Sequence, residues 1–195
     1  MTTAEFWRGR RVLITGHTGF KGSWLSTWLL QLGSKVTGLA LDPHTDPAMF
    51  DLLGLGEQMD SRIADIRDAA AVAKVVQDSK PEVIIHMAAQ ALVRESYTDP
   101  LGTLMSNVMG TAHVLEAARG AKDLGAVVVV TSDKCYDNRE WVWGYRENDA
   151  MGGHDPYSAS KAASDHLARA WHDTYGLPVV VTNCSNNYGP YQFPE

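Results

Sequence analysis

The sequence predicts an α/β protein built on a doubly wound parallel sheet with strand order 3-2-1-4-5-6. Three observations carry that expectation. Short apolar runs alternate with segments of helical period along the 195 residues, the pattern of a sheet wrapped on both faces. The run Val83-Ile84-Ile85 is continuous rather than alternating, as a strand covered on both sides must be. A glycine-rich turn, Gly16 to Gly22, joins the first run to the first helical segment.

The elements follow in order. Val12-Leu13-Ile14 is the first strand, stopping at Thr15-Gly16. After Gly22 the period becomes helical, with Leu25, Trp28, Leu29 and Leu32 at i, i+3, i+4 and i+7 and Gly33 placed to close the helix in a left-handed conformation. Lys35 to Leu41 forms a second strand, ending at Asp42-Pro43. Pro43, Pro47, Gly54 and Gly56 break the next stretch and leave room for a short helix around Ala48 to Leu53. A third strand is expected near Ser61 to Ala64, then a helix over Ala69 to Gln77. Val83 to Ile85 is the fourth strand. Leu104, Val108, Ala112 and Leu115 make the next helical stripe, and Ala126 to Val130 is the fifth strand. Asp155-Pro156 supplies an N-cap followed by proline at the first helical position, and the helix carries Ala163, Leu167, Ala170 and Trp171 on one side. Val179 to Val181 is the sixth strand. No repeat or linker divides the chain, so residues 1–195 are expected to form one dinucleotide-binding domain.

Composition narrows the partners. Seventeen Lys and Arg against 23 Asp and Glu give a net charge of −6, which argues against a nucleic-acid stripe. No apolar run approaches the ~20 residues of a membrane span, and Met1 to Arg11 lacks a secretory core. Two cysteines, Cys135 and Cys184, cannot build a disulfide framework, so a cytoplasmic setting is expected. The seven histidines and these cysteines show no paired metal spacing, so no metal is expected. Asn183-Cys184-Ser185 fits a glycosylation acceptor, which has no meaning without export.

Three motifs carry chemistry. In Thr15-Gly16-His17-Thr18-Gly19-Phe20-Lys21-Gly22 the glycines serve a tight turn, close backbone approach to a pyrophosphate, and helix packing, with a helix N-terminus facing the anion. A lysine sits where a P-loop needs its last glycine, so this is not a P-loop. Asp42, 20 residues beyond Gly22, can accept bonds from a ribose 2′-hydroxyl and repel a 2′-phosphate, favouring NAD over NADP. It can also be a plain turn aspartate, and Lys21 is a contrary sign. Tyr157 and Lys161, four apart on one helical face, are expected to lower the phenol pKa from ~10 and let tyrosinate act as a base. Ser158 to Lys161 also spells Ser-x-x-Lys, but neither Lys-Thr-Gly nor Ser-Asp-Asn follows, which argues against a β-lactamase-like nucleophile.

The glycine turn, Asp42, Ala88-Ala89, Ser132, and Tyr157 with Lys161 together resemble the extended short-chain dehydrogenase/reductase family. Gly16 to Trp24, His86 to Gln90 and Thr131 to Trp141 are similar to the CDP-glucose 4,6-dehydratases over about the first 155 residues. Thr182 to Tyr191, with the helix before it, resembles the dTDP-glucose 4,6-dehydratases. The resemblance implies a Rossmann fold, NAD, and a CDP- or dTDP-glucose substrate oxidised at C4, dehydrated across C5 and C6, and reduced at C6. It implies Tyr157 as the C4 hydroxyl base, Lys161 on the nicotinamide ribose, Ser132 on the C4 carbonyl, and Asp133 as the acid for the leaving hydroxyl. Lys134 becomes the C5 base, and the resemblance requires burial or the charge of Lys161 to keep it neutral.

The cofactor set implied is Gly16, Thr18, Gly19, Phe20, Lys21, Gly22, Asp42, Asp65, Ile66, Ala88, Ala89, Gln90, Ser106, Tyr157, Lys161 and Asn187. Asn186 joins Ser132 on the substrate. Each has a plainer alternative: Ser132 to Lys134 a polar strand end, Asn186-Asn187 a turn, Ser106-Asn107 a helix lock, Asp65 a helix cap. Trp141, Trp143 and Tyr145 either form a platform for a sugar or base or seal a loop. The resemblance also implies a homodimer through helices at 101–119 and 157–175, and a substrate lid of another ~130 residues after Glu195. Dinucleotide binding with weak or absent turnover is therefore expected of these 195 residues. Two other readings stay open: a nucleotide-sugar epimerase or reductase, and a non-catalytic NAD-binding module.

Overall fold

The computed structural model describes residues 3–194. Six parallel strands form one sheet in the order β3-β2-β1-β4-β5-β6, the order that the sequence predicts. They are β1 (Arg11–Thr15), β2 (Lys35–Ala40), β3 (Asp60–Ile63), β4 (Val83–His86), β5 (Ala126–Val130) and β6 (Val179–Thr182). The order reverses between β1 and β4, which pair from Val12 with Val83 to Thr15 with His86. At such a reversal the following connections leave in opposite directions and open a crevice beyond the strand ends.

The helices are α1 (Thr3–Trp7), α2 (Phe20–Gln31), α3 (Met49–Leu52), α4 (Leu55–Gln58), α5 (Ala69–Ser79), α6 (Val93–Thr98), α7 (Pro100–Leu104), α8 (Gly110–Ala118) and α9 (Pro156–Tyr175). A π-helical turn, Met105–Met109, joins α7 to α8. Successive residues of β1 serve opposite faces, as strand pleating requires. Leu13 joins Leu39, Ile84, Val127, Val72, Val76, Val114 and Leu115 beneath α5 and α8. Val12 and Ile14 join Val36, Val83 and Leu29 beneath α2.

Three helical stripes differ from expectation. Helix α2 begins at Phe20, so Gly22 lies inside it, and of the expected stripe Leu29 is buried whereas Trp28 is 58% exposed. Gly33 does close it at φ 82°. Around α8 the π turn adds a residue and rotates the face. Leu104 is exposed, and the buried line is Thr103, Asn107, Thr111, Val114 and Ala118. On α9, Ala170 is exposed, and Tyr157, Lys161, Ser164, Asp165 and Ala168 face inward. For α8 and α9 the cause is a helix interface made of small polar side chains that bond one another. Asn107 Nδ2 donates to Ser160 Oγ at 2.8 Å and Ser164 Oγ donates to the Asn107 carbonyl at 2.8 Å. Apolar periodicity cannot register a seam of that kind, because the burial is supported by hydrogen bonds.

The start of α9 follows expectation. Asp155 caps it, accepting from Ser158 N at 2.9 Å, with Pro156 in the first turn. Tyr157 and Lys161 are thereby held on the first two turns, facing the ends of β5 and β6.

Candidate functional site

The glycine turn sits at the head of β1. Gly16 has φ 80°, and a Cβ there would lie 2.9 Å from the Ala88 nitrogen. A Cβ on Gly22 would run into the Gly16 carbonyl oxygen and the His17 backbone. These two glycines are required by the turn's own closure. Gly19 is different: a Cβ there meets only the Gly16 oxygen, at 3.6 Å, so its missing side chain leaves open space in front of the turn. Gly19 is also the N-cap of α2 and supplies no side-chain cap. The N-terminus of a 12-residue helix, uncapped by its own chain and fronted by a glycine, fits the pyrophosphate of a dinucleotide. Thr18 Oγ1 donates to the Leu41 carbonyl at 2.8 Å and ties the turn to the segment after β2. Asp42 lies there, exposed and two residues past the end of β2, rather than ending the strand.

On the other side of the crevice, Ala88 and Ala89 follow β4 and are half-buried; the Ala88 N–H donates to Thr15 Oγ1 at 3.1 Å. The Gln90 side chain is engaged within the protein, bonding Leu92 and Thr103. Asn107 is buried and bonds the Gln90 backbone on both sides, which makes it a helix lock, while Ser106 is half-buried beside it. Asp65 pairs with Arg67 at 2.6 Å, and that guanidinium holds its carboxyl below the ordinary range. The cap of α5 is Asp68 rather than Asp65. Ile66 is buried against the core.

Ser132, Asp133 and Lys134 stand directly after β5, where Ser132 caps a single 3-10 turn, Asp133–Cys135. Ser132 Oγ accepts from Lys134 N at 3.2 Å and donates to Asp133 Oδ1 at 3.1 Å. Ser132 and Tyr157 are both buried, and Ser132 is a polar neighbour that acts on the Tyr157 phenol. Lys161 is 7% exposed, with Nζ 3.5 Å from the Val130 carbonyl. The structure therefore brings Ser132, Tyr157 and Lys161 together at the end of β5, with Asp133 and Lys134 exposed at the rim. Lys21 reaches the same region from α2, its Nζ 3.6 Å from Cys184 Sγ. Asn186 and Asn187 are exposed on the segment after β6.

Two electrostatic expectations are corrected. Burial pushes the Tyr157 phenol above its ordinary value, and the Ser132 hydroxyl only partly opposes it. Lys161 is not among the groups that shift it, and its ammonium lies by the Val130 carbonyl. Burial first, and the charge of Lys21 second, bring Lys161 down to about 8. The second correction concerns Lys134: its side chain is exposed, so the burial that the resemblance asks of it is not supplied by the described residues.

Sequence reasoning missed several polar groups here. Asp165, fully buried one turn beyond Lys161, pairs with Arg169 and accepts from Asn183 Nδ2 at 2.9 Å. That amide also reaches Thr131 Oγ1 at 2.8 Å, so Asn183 is tied to the framework. A polar residue every fourth position on α9, from Tyr157 to Asp165, was the available signal. The aromatic loop seals in part: Tyr136 stacks on Tyr145 at 5.4 Å and Tyr145 on Trp141 at 5.3 Å, whereas Trp143 is 66% exposed.

Two measurements check this geometry. Gly22→Ala is expected to destabilise the fold by roughly 2 kcal/mol or more through overpacking, whereas Gly19→Ala leaves the melting temperature near its starting value and weakens dinucleotide affinity; thermal melts with calorimetric titration compare them. Lys161→Met is expected to raise stability at neutral pH, since the buried ammonium costs roughly 3 kcal/mol on a shift from 10.5 to about 8. The folded pKa lies below the unfolded one, so the wild type gains stability as pH rises from about 8 to about 10.5. The variant's advantage, read from melts across that window, must shrink as it is crossed.

Known proteins are similar in sequence and fold. The family model described as GDP-mannose 4,6 dehydratase matches residues 13–195. The CDP-glucose 4,6-dehydratase of Salmonella typhimurium is 52% identical over 179 residues, covering 92% of this chain and 50% of that protein. A dTDP-glucose 4,6-dehydratase of Xanthomonas campestris is 38% identical, covering 94% of this chain and 55% of its own. The chain spans about half the length of the curated relatives it matches. Among solved structures, a double mutant of the dTDP-glucose 4,6-dehydratase DesIV from Streptomyces venezuelae, solved with NAD bound, superposes at a TM-score of 0.84 and 33% identity, covering 94% of this chain and 58% of that one. With its glycine turn, its paired Tyr157 and Lys161 and its reversed sheet order, the chain belongs to the GDP-mannose 4,6 dehydratase family.

Proposed function

We propose that the chain carries the dinucleotide-binding and catalytic side of an NAD-dependent nucleotide-sugar 4,6-dehydratase acting on CDP-glucose or dTDP-glucose. The observation that carries the reading is the placement of Ser132, Asp133 and Lys134 on one turn against Tyr157 and Lys161, opposite an open glycine turn. The 52% identity to a CDP-glucose 4,6-dehydratase favours the cytidine nucleotide.

NAD, when bound, supplies a reversible two-electron acceptor and a positively charged ring. Gly16, Gly19 and Gly22 with the α2 N-terminus would hold its pyrophosphate, and Thr18, Phe20 and Lys21 would line that path. Asp42 would take the adenosine ribose, Asp65 and Ile66 the adenine edge. Ala88, Ala89, Gln90, Ser106 and Asn187 would line the remainder toward the nicotinamide, whose ribose Lys161 would hold. Tyr157 takes the C4 hydroxyl proton, and Ser132 donates to the oxygen that becomes the carbonyl. Once C4 is a ketone the C5 proton is acidic; Lys134 removes it while Asp133 protonates the C6 hydroxyl as it leaves as water, and the hydride taken from C4 would then return to C6 as a proton is restored to C5, giving the 4-keto-6-deoxy sugar. Asn186 would add a hydrogen bond to the sugar. An epimerase or reductase would use Ser132, Tyr157 and Lys161 but would leave Asp133 and Lys134 without work. Two free thiols fit a reducing, cytoplasmic setting. Among the described residues no helix is long and apolar enough to cross a membrane.

Tyr97, Leu101, Leu104, Met105 and Met109 are exposed along α6, α7 and the π turn, and we assign this stripe to a homodimer interface. Sedimentation should report a dimer that Leu101→Glu converts to monomer with unchanged helicity; a wild-type monomer contradicts the assignment.

Incubation with CDP-glucose and dTDP-glucose should give a 4-keto-6-deoxy product, read by its alkaline absorbance and formed only slowly by these 195 residues alone. Lys134→Ala should retain C4 oxidation and lose roughly 10²-fold or more of the water elimination. Undiminished dehydration by that variant removes its role, and neither oxidation nor product from the unmutated protein favours a non-catalytic module.

A further inference from the structure

A line of hydrogen bonds runs behind the crevice from the glycine turn to the catalytic helix, and its middle member is a histidine with no place in the chemistry above. Thr15 Oγ1, at the end of β1, accepts from the Met87 and Ala88 N–H groups at 3.1 Å each. Both its lone pairs are then used, so its hydrogen is directed to His86 Nδ1, 2.6 Å away. On the far side of the ring, His86 Nε2 lies 2.9 Å from Thr111 Oγ1, which spends its own hydrogen on the Asn107 carbonyl at 2.5 Å. Thr111 can therefore only accept, and the imidazole proton must sit on Nε2. Asn107 Nδ2 donates onward to Ser160 Oγ at 2.8 Å, and Ser160 Oγ donates to the Tyr157 carbonyl at 2.7 Å.

We propose that His86 is a positioning residue which, as a neutral imidazole protonated on Nε2, couples the glycine turn on β1 to the helix start that carries Tyr157 and Lys161. Every hydroxyl in the line has one direction available, so the line has a single polarity, and bonds arranged head to tail strengthen one another. His86 is 2% exposed. Burial, with the nearby Lys161 ammonium adding to it, brings its pKa down to about 3, so the ring stays neutral while Lys161 is charged. An apolar side chain of the same volume would fill the space and leave the Thr15 hydroxyl and the Thr111 oxygen without partners, the costly outcome for buried polar groups. The two halves of the site then answer to one ring: Nδ1 braces the turn that receives the dinucleotide, and Nε2 braces the helix that carries the base.

The structural half of this inference rests on geometry alone, and its kinetic half rests on the dehydratase reading. Isotope-labelled histidine NMR of the unmutated protein tests the first half, with His86→Asn used to assign the signal. The signal that His86→Asn removes is expected to show an unprotonated Nδ1 and a protonated Nε2, without titration between about pH 5 and pH 9. A proton on Nδ1, or titration near the ordinary ~6.5, overturns the proposal.

For the second half, His86→Asn keeps an acceptor near Nδ1 and loses the donor toward Thr111; His86→Gln reaches Thr111 and loses the acceptor for Thr15. Calorimetry with NAD and single-turnover C4 oxidation at saturating NAD are compared. His86→Asn should hold NAD affinity within about twofold and slow oxidation by roughly tenfold, and His86→Gln should show the reverse split. Parallel losses in both variants, or no loss in either, contradict the coupling. If the unmutated protein oxidises neither sugar nucleotide, the dehydratase reading fails, and the tautomer spectrum still decides the assignment of His86.

Discussion

The tight closure of the turn between β1 and α2 is the constraint on which the rest depends. The backbone returns on itself so closely that Gly22 lies against the Gly16 carbonyl, and Gly16 takes a left-handed conformation beside Ala88. A side chain at either position would push α2 away from β1 or β1 away from β4. Because the sheet order reverses at that pair of strands, the turn, the segment after β4 and the segment after β5 converge on one crevice. Function at this place is a consequence of topology and sterics together, with Gly19 left open to the anion.

The second half of the crevice is governed by burial. Lys161 is carried inward on the second turn of α9 and loses most of its hydration, which moves its ionisation to about 8. Tyr157 is buried as well and moves the other way, above its ordinary value. In the protein alone both groups are thus biased toward neutrality. A positive ring entering the crevice would favour the tyrosinate, so the ionisation of Tyr157 would depend on what the crevice holds. The polar seam between the π turn before α8 and α9 holds this arrangement in place. Asn107, Ser160 and Ser164 interlock with full hydrogen bonding, at a spot where loose packing would let the first turns of α9 drift.

Much of this was legible in the sequence, for physical reasons. The strands were readable because fully covered strands need continuous apolar runs, and turn residues such as Gly16, Pro43 and Pro81 punctuate them. The order of the sheet and the start of α9 followed from the glycine turn and from Asp155-Pro156. Helical faces were less readable. Leu104 fell off its stripe, whose Leu115 is buried, because a π turn rotates the register, and Ala170 fell off a stripe whose Leu167 and Trp171 pack on the core, because α9 also buries Ser164 and Asp165. Asp165 escaped notice, and His86 and Asn183 were read only as members of longer motifs, for a related reason: their value lies in partners distant in sequence, such as Thr15 with His86 and Asp165 with Asn183. The expected effect of Lys161 on Tyr157 rested on spacing alone, and spacing says nothing about which carbonyl an ammonium turns toward.

The most direct test of the account is a crystal structure of the protein with NAD. The account predicts the pyrophosphate over Gly19 at the N-terminus of α2, with the nicotinamide ring between the glycine turn and Ser132 and within hydride-transfer reach of a sugar carbon held at the Tyr157 hydroxyl. A dinucleotide seated instead along the outer face of α2, near Trp24 and Trp28, with its ring remote from Tyr157, would contradict it.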